Sequence, residues 1–510
     1  MPDHLNFLVI QTDQMSAKAL ATYGHNLTKT PHIDRLAQSG TIFENAYCNF
    51  PLCVPSRASM LTGRYANSIG VWDNASELPA SIPTLAHYLR SEGYYTVLSG
   101  KMHFIGPDQL HGFNERITTD IYPSNFAWTP DWIAGERYRP TGINMRAVVD
   151  SGVCTRSLQI DYDEEVEFAS TQKLYDLARY NTESPFLLWI SFTHPHSPYI
   201  TTPEYWNRYQ HDQISMPDVP ELSLDKMDIM SRWLYFAHAG DLHEITEEHI
   251  LNARHAYFGM CSYLDDKIGH LLNTLEQLEL DSNTVVILTS DHGEMLGERG
   301  MWFKQAFFEW STKVPLLIRV PRMKSVSRVK ELVSLVDLFP TLIEFAGSKP
   351  KDTELQLDGH SLVPLLSGSS AWDNQVISEY TGEGVNTPCR MIRKNQHKLI
   401  YTHGHPSLLY NLSNDPNELT NVIDEPEQEF LKKSLLETLL EDWDPYSIHE
   451  SCIQSQRERR LIHEATGGEP EWVYSVRNND DKRYVRNSSA IETKAKARYP
   501  YVNPTPFLNE

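Results

Sequence analysis

The segment from Pro51 to Arg64 brings a potential nucleophile and a cation to the start of a predicted helix. Pro55 suits the first turn of a helix, and good helix formers follow it. Free N–H groups and the macrodipole favour an anion at a helix N-terminus. Arg57 follows Cys53 by four residues, so both side chains can face the same way. This pattern predicts an anion site that contains a nucleophile, whereas Cys53 alone is equally typical of a reactive or structural thiol at a helix start.

Potential metal ligands follow two predicted strands. Asp13 comes after the apolar run 7–11, and Asp291 and His292 come after the run 283–289. Continuous apolar runs are typical of strands buried in a parallel sheet, and ligands bind at the carboxyl ends of such strands. Two carboxylates and one imidazole suit Ca²⁺, Mg²⁺ or Mn²⁺, and a thiolate-rich zinc site is not supported. The alternative for Asp291 and His292 is a strand-end cap.

Basic side chains also follow predicted strands. Lys101 and His103 lie two residues apart after the strand 94–98, so in an extended segment they can point the same way. His196 follows the strand predicted for residues 185–192, and Lys304 precedes another strand. Surface solvation is the usual role of any single one of these residues. Their order and their placement at strand ends favour one shared site instead.

The elements that must position these side chains alternate between strands and helices through about residue 370. This alternation predicts an α/β fold with a large, mostly parallel, doubly wound sheet flanked by helices. The aromatic-rich residues 118–139 are expected to form a loop or an insertion. Further strands are predicted at residues 41–47 and 314–320, and helices at 31–40, 82–92, 162–179, 224–260, 261–280 and 333–346.

The pattern changes towards the C-terminus. Antiparallel strands are predicted at 391–401 and 407–412, followed by a helix at 427–443, and from residue 454 the chain is polar and basic. We therefore expect a smaller C-terminal α+β subdomain and an extended tail that wraps its own subunit or reaches a neighbour. The expected domains are a catalytic domain at 1–375, the subdomain at 376–453 and the tail at 454–510.

Composition restricts the possible partners. The chain has 510 residues and a formal net charge of -22, which argues against nucleic acid or an anionic membrane as a partner. An anionic substrate must therefore be captured by local cations. Six cysteines are too few and too scattered for a disulfide framework. We find no basic region followed by an apolar stretch at the start and no run long enough to span a bilayer, so a cytoplasmic, reduced protein is expected.

The segment from Cys53 to Arg64 resembles the type I sulfatase motif C-x-P-S-R-x-x-x-L-T-G-R, found in the alkaline phosphatase superfamily. The resemblance implies an alkaline-phosphatase-like fold. It also implies that a formylglycine-generating enzyme oxidises Cys53 to formylglycine, whose hydrate is the nucleophile. Arg57 and a metal ion would then polarise a hydroxyl group of that hydrate.

The same resemblance implies one divalent metal ion bound by Asp13, Gln14, Asp291 and His292. Many sulfatases carry a second aspartate where this chain has Gln14. The substitution lowers the charge of the ligand set by one, so Mn²⁺ and Mg²⁺ become alternatives to Ca²⁺. Gln14 would still be able to bind through its amide oxygen.

Other family motifs assign roles to the basic residues. Lys101 and His103 stand in a segment that resembles G-K-x-H, which implies that Lys101 binds the sulfate and His103 holds the hydrated formylglycine and helps to expel sulfate. His196 stands in a segment that resembles H-x-P and would contact the sulfate or the leaving oxygen, with His194 as a nearby rival. Lys304 begins a segment that resembles K…(Y/F)-E…V-P and would bind sulfate and support the leaving group.

Within the family, residues 71–77, 98–113 and 118–130 are most similar to choline sulfatases. That similarity implies that Asn74 and Trp128 contact choline, whose quaternary ammonium group is attracted to aromatic faces. It also implies a homo-oligomer, either a dimer or a tetramer, in which the tail packs on a neighbour. Residues 142–158 depart from the subgroup, and the acid that the subgroup offers near its C-terminus has no secure match at 486–492.

The sequence therefore predicts a sulfuric ester hydrolase that cleaves a small-molecule sulfate ester, with choline-O-sulfate as the favoured substrate. One alternative is an aryl or alkyl sulfatase of other specificity. Another is a phosphonate monoester or phosphodiester hydrolase of the same superfamily, although those enzymes tend to lack G-K-x-H. A catalytically dead binding protein would require a broken nucleophile motif, and the motif is intact here.

Overall fold

The computed structural model describes residues 4–135, 137–180, 184–323, 326–348, 357–369 and 371–468, together with 474, 476, 477, 484 and 498–500. The strands in these residues are β1 (Asn6–Thr12), β2 (Thr41–Tyr47), β3 (Tyr95–Gly100), β4 (Glu115–Arg116), β5 (Gly152–Val153), β6 (Arg156–Ser157), β7 (Phe186–Ser191), β8 (Ile200–Thr201), β9 (Thr284–Ser290), β10 (Lys313–Val314), β11 (Leu316–Arg319), β12 (Arg328–Ser334), β13 (Gln375–Tyr380), β14 (Cys389–Lys394), β15 (His397–Thr402), β16 (Leu408–Asn411) and β17 (Arg498–Tyr499). The α-helices are α1 (Pro31–Ser39), α2 (Cys53–Thr62), α3 (Leu85–Ser91), α4 (Arg146–Val149), α5 (Leu158–Tyr180), α6 (Pro203–Trp206), α7 (Ile229–Ala237), α8 (Glu247–Gln277), α9 (Glu309–Thr312), α10 (Leu338–Phe345), α11 (Val363–Leu366), α12 (Glu429–Leu440) and α13 (Pro445–Ala465).

A large sheet with the order β10-β2-β11-β9-β1-β7-β3-β4 forms the centre of the molecule, and β12 pairs with β2. Strands β9, β1, β7, β3 and β4 are mutually parallel, whereas β11 runs antiparallel to β9 and β2. The register sets Gln11 opposite both Ser191 and Thr289. The carboxyl ends of these strands are therefore level, and the residues that follow them meet at one edge.

Helices cover both faces of the sheet, because alternate residues of its strands enter two different cores. Leu8 and Ile10 of β1 pack in the core beneath α1, α5 and α8. Phe7 and Val9 pack in the opposite core, beneath α2, α3 and α10. This arrangement confirms the predicted doubly wound α/β fold.

Three predicted elements have different limits in the structure. The helix expected from residue 333 begins only at Leu338, because residues 333 and 334 continue β12 alongside β2. The mainly helical region expected at 224–260 is interrupted, since Thr246 caps a new helix, α8. The single strand expected at 391–401 is a hairpin, with Asn395 in a left-handed turn conformation at φ 52°. The aromatic residues 118–139 form a loop wherever they are described, as expected.

The C-terminal region contains the antiparallel sheet β13-β14-β15-β16, against which α12 packs. Helix α13 spans the expected domain limit at residue 454, so residues 454–465 are helical. Strand β17 pairs with β6 of the same chain. The acidic residue sought at 486–492 lies outside the described residues. None of the helices in the described part of the chain is long and apolar enough to cross a membrane.

Candidate active site

Helix α2 begins at Cys53, and every residue of this helix is buried. Cys53 Sγ lies 3.4 Å from His292 Nε2 and 3.4 Å from Lys101 Nζ. Burial and Asp13 act to raise the pKa of the Cys53 thiol, but Lys101, Lys304 and the nearby His103 together outweigh them, so the pKa is lowered. The predicted nucleophile therefore lies among cations at a helix N-terminus.

The backbone N–H of Val54, in the first turn of α2, donates to Asn74 Oδ1 at 3.0 Å. The turn that carries Asn74 is held by the preceding residue, Asp73, which forms a bidentate ion pair with Arg459 of α13 at 2.6 and 2.7 Å. Asn74 thus satisfies a free N–H group of the catalytic helix as well as lining the cavity described below.

Three of the four predicted metal ligands converge beside Cys53, and the backbone of the fourth, Gln14, contacts one of them. Ligand atoms of Asp13, Asp291, His292 and Cys53 all lie within 4.8 Å of one another, and the backbone N–H of Gln14 donates to Asp291 Oδ1 at 3.2 Å. His292 uses Nδ1 to donate to the Gly293 carbonyl oxygen at 3.1 Å, so Nε2 is left facing the cluster. Asp13 Oδ1 is buried and has no hydrogen-bond partner among the described residues. An unpaired carboxylate oxygen in an oxygen-rich donor set fits a divalent cation.

Arg57 and Lys101 surround the two carboxylates of this cluster with positive charge. Arg57 donates to Asp13 Oδ2 and to Asp291 Oδ2, each at 2.9 Å, and Lys101 Nζ pairs with Asp13. Burial would raise the pKa of Asp13, but Lys101, His196 and Arg57 hold it well below its usual range. Asp13 is therefore ionised and available to a cation.

Lys101 and His103 follow β3, and Asp120 fixes the backbone between them. One oxygen of Asp120 accepts from the backbone N–H groups of Met102 at 3.0 Å and His103 at 2.6 Å, and it also pairs with Arg116. His103 adopts a left-handed conformation at φ 60°, which is uncommon for a residue other than glycine. Burial lowers the pKa of the His103 imidazole, while Cys53 acts to raise it. The lowered pKa favours a neutral ring that can accept a proton.

Lys304 lies at the centre of a second group of contacts. Its Nζ is 2.6 Å from Gln14 Oε1 and 2.6 Å from His196 Nε2. His196 Nδ1 donates to the Ser197 carbonyl oxygen at 2.6 Å, so His196 Nε2 accepts from the ammonium group. Burial and Lys304 hold the pKa of His196 well below its usual range. His194, the rival of His196, is bonded through Nδ1 to Asp163 at 2.6 Å.

A cavity with an empty volume of about 290 Å³ opens onto Cys53. It brings together predicted residues from distant parts of the sequence, includes Tyr122 of the aromatic-rich segment, and adds Thr141 and Ile143, which the sequence did not single out. The lining residues are Cys53, Asn74, His103, Tyr122, Trp128, Thr141, Ile143, His196 and Lys304. The Trp128 ring lies 5.3 Å from Tyr122 and 5.6 Å from His103, centroid to centroid.

An adjoining cavity of about 230 Å³ shares Thr141 and Ile143 with the first and is also lined by Glu383. Glu383 is buried, and neither of its carboxylate oxygens has a hydrogen-bond partner in the described structure. Burial raises the pKa of Glu383 to about 8. Sequence reasoning missed this acid, although its position between two glycines directly after a strand was a possible signal.

Comparisons with known proteins identify the family of the chain. A family model described as Sulfatase matches residues 5–348, and one described as N-sulphoglucosamine sulphohydrolase, C-terminal, matches residues 297–444. The choline-sulfatase of Rhizobium meliloti (strain 1021) is 38% identical over 507 residues, which cover 97% of this chain and 98% of that protein. Arylsulfatase K of Bos taurus is 31% identical over 452 residues, covering 82% and 78% of the two chains.

Among solved structures, the phosphonate monoester hydrolase of Agrobacterium radiobacter superposes with a TM-score of 0.68 at 26% identity, covering 87% of this chain and 96% of that one. The Sulfatase model spans more than half of the chain, and the match to choline-sulfatase extends over nearly all of it. The chain therefore belongs to the sulfatase family, within the alkaline phosphatase superfamily, and is a hydrolase of sulfate esters.

Proposed function

We propose that the protein hydrolyses choline-O-sulfate to choline and sulfate, using a formylglycine derived from Cys53 and one divalent metal ion held by Asp13, Gln14, Asp291 and His292. The observation that carries the choline assignment is the buried, unpartnered carboxylate of Glu383, which lines the cavity next to the one that opens onto Cys53. An isolated buried carboxylate is costly, and a cationic substrate group would compensate for it.

Aromatic side chains support the same assignment. Trp128 and Tyr122 both line the cavity next to Cys53, and the two cavities meet at Thr141 and Ile143. A quaternary ammonium group has no N–H to donate, so recognition depends on charge and on aromatic faces. Glu383 supplies the charge and the two aromatic rings supply the faces. The small cavity also favours a short alkyl sulfate over an oligosaccharide sulfate.

The charges around Cys53 suit a sulfate group. Lys101 and Lys304 are both buried and both act on the Cys53 side chain. They would bind the sulfate oxygens and stabilise the negative charge that develops on them, while Arg57 holds Asp13 and Asp291 in place. When bound, a divalent cation would neutralise further charge and lower the pKa of an oxygen that it contacts. Formylglycine would supply, as its hydrate, the attacking hydroxyl group and a second hydroxyl group for the release of sulfate.

Three proton transfers are then needed. The attacking hydroxyl group would release its proton to solvent, and the neutral His103, whose pKa is lowered by burial, would accept the proton of the second hydroxyl group as sulfate leaves. Lys304 would donate towards the leaving oxygen. Its neighbour His196 is neutral and accepts the Lys304 hydrogen bond at Nε2, so it orients the ammonium group rather than competing with it.

A relative supports the choice of substrate, since the protein at 38% identity is named choline-sulfatase. All six cysteines of this chain are buried and free of disulfides in the described structure. The proposal also includes, from the resemblance to choline sulfatases, a cytoplasmic homo-oligomer that is matured by a formylglycine-generating enzyme.

The first experiment compares kcat/KM for choline sulfate, its neutral isostere 3,3-dimethylbutyl sulfate, an aryl sulfate and a phenyl phosphonate ester. The preparation must have Cys53 converted, as verified by peptide mass. We expect choline sulfate to exceed the neutral isostere by at least about tenfold, since a buried charge pair and a cation–π contact each contribute about 1 kcal/mol or more. Equal rates for the two alkyl esters would reject the choline assignment. Dominance of the phosphonate ester would favour the activity named for the Agrobacterium relative instead.

A further inference from the structure

Gln14 differs from the other proposed metal ligands because its side chain is an amide with a donor end and an acceptor end. Its backbone is held on both sides: the N–H group donates to Asp291 Oδ1 at 3.2 Å, and the carbonyl oxygen accepts from the Tyr257 hydroxyl at 2.8 Å. These contacts do not decide which end of the amide faces the metal site. Another residue must do so.

Glu294 is fully buried and collects four donors on its two carboxylate oxygens. Oε2 accepts from Gln14 Nε2 and from the Tyr199 hydroxyl at 2.8 Å. Oε1 accepts from the backbone N–H groups of Leu296 at 2.8 Å and Phe303 at 2.6 Å. The Glu294 carboxyl group therefore links the segment after β1, which carries Gln14, to the segment that precedes Lys304 and to the segment that follows His196.

The neighbours of the Gln14 amide select a single orientation. Glu294 presents acceptor oxygens to Nε2, and the Lys304 ammonium group, which can only donate, lies 2.6 Å from Oε1. A flipped amide would set oxygen against oxygen on one side and N–H against N–H on the other. The oxygen is thus kept on the side of Lys304, which lines the substrate cavity.

We propose that Glu294 is a positioning residue that keeps the Gln14 amide oxygen available to the metal ion and to Lys304. This inference rests on the metal site of the proposed function. A carboxylate behind the amide also polarises it, as outer partners of metal ligands do.

The test is Glu294→Gln in the full-length protein, stripped of metal with a chelator and titrated with Mn²⁺ by calorimetry. A glutamine at position 294 has one oxygen and one NH₂ group. If the NH₂ group points at Gln14 and Tyr199, it meets the donor Nε2 of Gln14, and if it points the other way, it meets two fixed backbone N–H groups. In either orientation at least one hydrogen bond made by Glu294 is lost. We expect the affinity for Mn²⁺ to fall at least about tenfold. The exchange variant Gln14→Glu/Glu294→Gln swaps the two side chains, so that the NH₂ group at position 294 donates to a carboxylate oxygen at position 14. We expect this variant to bind Mn²⁺ more tightly than either single variant.

Glu298→Gln is the matched control. Glu298 is a buried glutamate of the same segment that accepts from the backbone N–H groups of Asp218 and Val219, and we expect its replacement to leave the Mn²⁺ affinity unchanged. Should Glu294→Gln fail to fold, as monitored by circular dichroism, Glu294→Asp replaces it. That variant keeps the charge but shortens the reach to Gln14, and it is also expected to bind Mn²⁺ more weakly.

Either of two results would overturn the role of Glu294. The first is an unchanged affinity for Mn²⁺ in a folded variant of position 294, and the second is an exchange variant that binds Mn²⁺ no more tightly than both single variants. A wild-type protein that binds neither Mn²⁺ nor Ca²⁺ would instead remove the proposed metal site itself. The two failures are distinguishable, because the readout is metal affinity and depends on no choice of substrate.

Discussion

Arg57 Nη2 lies 2.9 Å from Asp13 Oδ2, and the same guanidinium group reaches Asp291 Oδ2 through Nε at the same distance. One arginine thus bridges the two carboxylates proposed to bind the metal ion. Its Nη1 donates to the Lys101 carbonyl oxygen at 2.6 Å and to Ser191 Oγ at 2.8 Å. Four strand ends are consequently joined through one side chain, which links the stability of the site to its chemistry.

Replacing Arg57 by lysine should destabilise the metal-free protein, because an ammonium group cannot reproduce the planar fork that reaches both carboxylates. Breaking buried pairs of this kind costs about 3–5 kcal/mol. Added Mn²⁺ or Ca²⁺ should restore part of the melting temperature by neutralising Asp13 and Asp291. Thermal unfolding with and without metal measures the effect. Arg254→Lys, at another buried arginine that contacts Leu296 and Glu298, is the control that metal should not rescue. Metal that stabilises Arg57→Lys no more than the wild type would contradict the bridge.

Glu383 should make substrate preference depend on pH. Its pKa is raised to about 8, so below that pH the free enzyme holds a neutral acid, and a cationic substrate must displace the proton. The ratio of kcat/KM for choline sulfate to that for 3,3-dimethylbutyl sulfate should fall as the pH drops below about 8, by up to about tenfold per unit. The neutral ester corrects for every other titrating group. The Glu383→Gln variant should have a lower ratio that does not depend on pH. A ratio that still varies with pH in this variant would mean that another group causes the pH dependence.

The same substitution should affect stability with a defined sign. Because the folded state retains the Glu383 proton at pH values where the unfolded chain releases it, the free energy of unfolding falls as the pH rises from about 4.5 to about 8. Glutamine has no proton that titrates in this range, so the free energy of unfolding of Glu383→Gln does not fall in this way. The melting temperature of Glu383→Gln relative to wild type should therefore increase between pH 5 and pH 8.5, as thermal scans at both values can measure.

Trp128 should contribute to the recognition of the cation and not to the chemistry. Trp128→Leu is expected to lower kcat/KM for choline sulfate by about 5- to 30-fold, the range that corresponds to a cation–π contact of 1–2 kcal/mol. The neutral isostere should lose much less, and Trp128→Phe should retain part of the preference. Equal losses for the charged and the neutral ester would mean that Trp128 only shapes the cavity.

Asp120 should control the geometry of Lys101 and His103. In Asp120→Asn, the amide oxygen can still face the three donors that Oδ2 serves, but the negative charge that pairs with Arg116 is lost. The NH₂ group also replaces Oδ1, which accepts from the backbone N–H of Tyr122, so the left-handed conformation of His103 loses part of its support. We expect kcat to fall about 100-fold with little change in KM, as displacement of a catalytic group by about 1 Å would cause. Asp108→Asn is the matched control, since Asp108 accepts from Leu110 and His111 in the same region without contacting the site. Similar losses in both variants would indicate a general effect on the loop.

Much of the site was predictable because its residues stand at strand ends. Asp13, Lys101 and Asp291 follow buried strands, and the carboxyl ends of parallel strands meet at one edge of the sheet, so these residues were expected to lie together. Glu383 and Asp120 were missed for a physical reason. Glu383 is notable for its burial without a partner, and Asp120 for its contacts across an irregular loop, and hydrophobic periodicity carries no information about either property.

The boundaries of secondary-structure elements that were predicted incorrectly also depend on contacts that the local sequence does not show. Val333 is apolar and Ser334 is small, so local preference allows either state, and pairing with β2 decides for the strand. The break before α8 comes from the Thr246 cap, which outweighs the helical pattern on either side. Tertiary pairing and capping, rather than local preference, determined these boundaries.

The ion pair between Asp73 and Arg459 joins residues 386 positions apart. During synthesis the turn that carries Asn74 emerges early, but its anchor emerges only when α13 has been translated. Closing so long a loop costs entropy that local contacts around the turn cannot offset on their own. The support of the catalytic helix by Asn74 is therefore completed late in folding, and a ribosome-stalled chain ending before residue 459 would carry a well-ordered sheet with an unfinished catalytic turn.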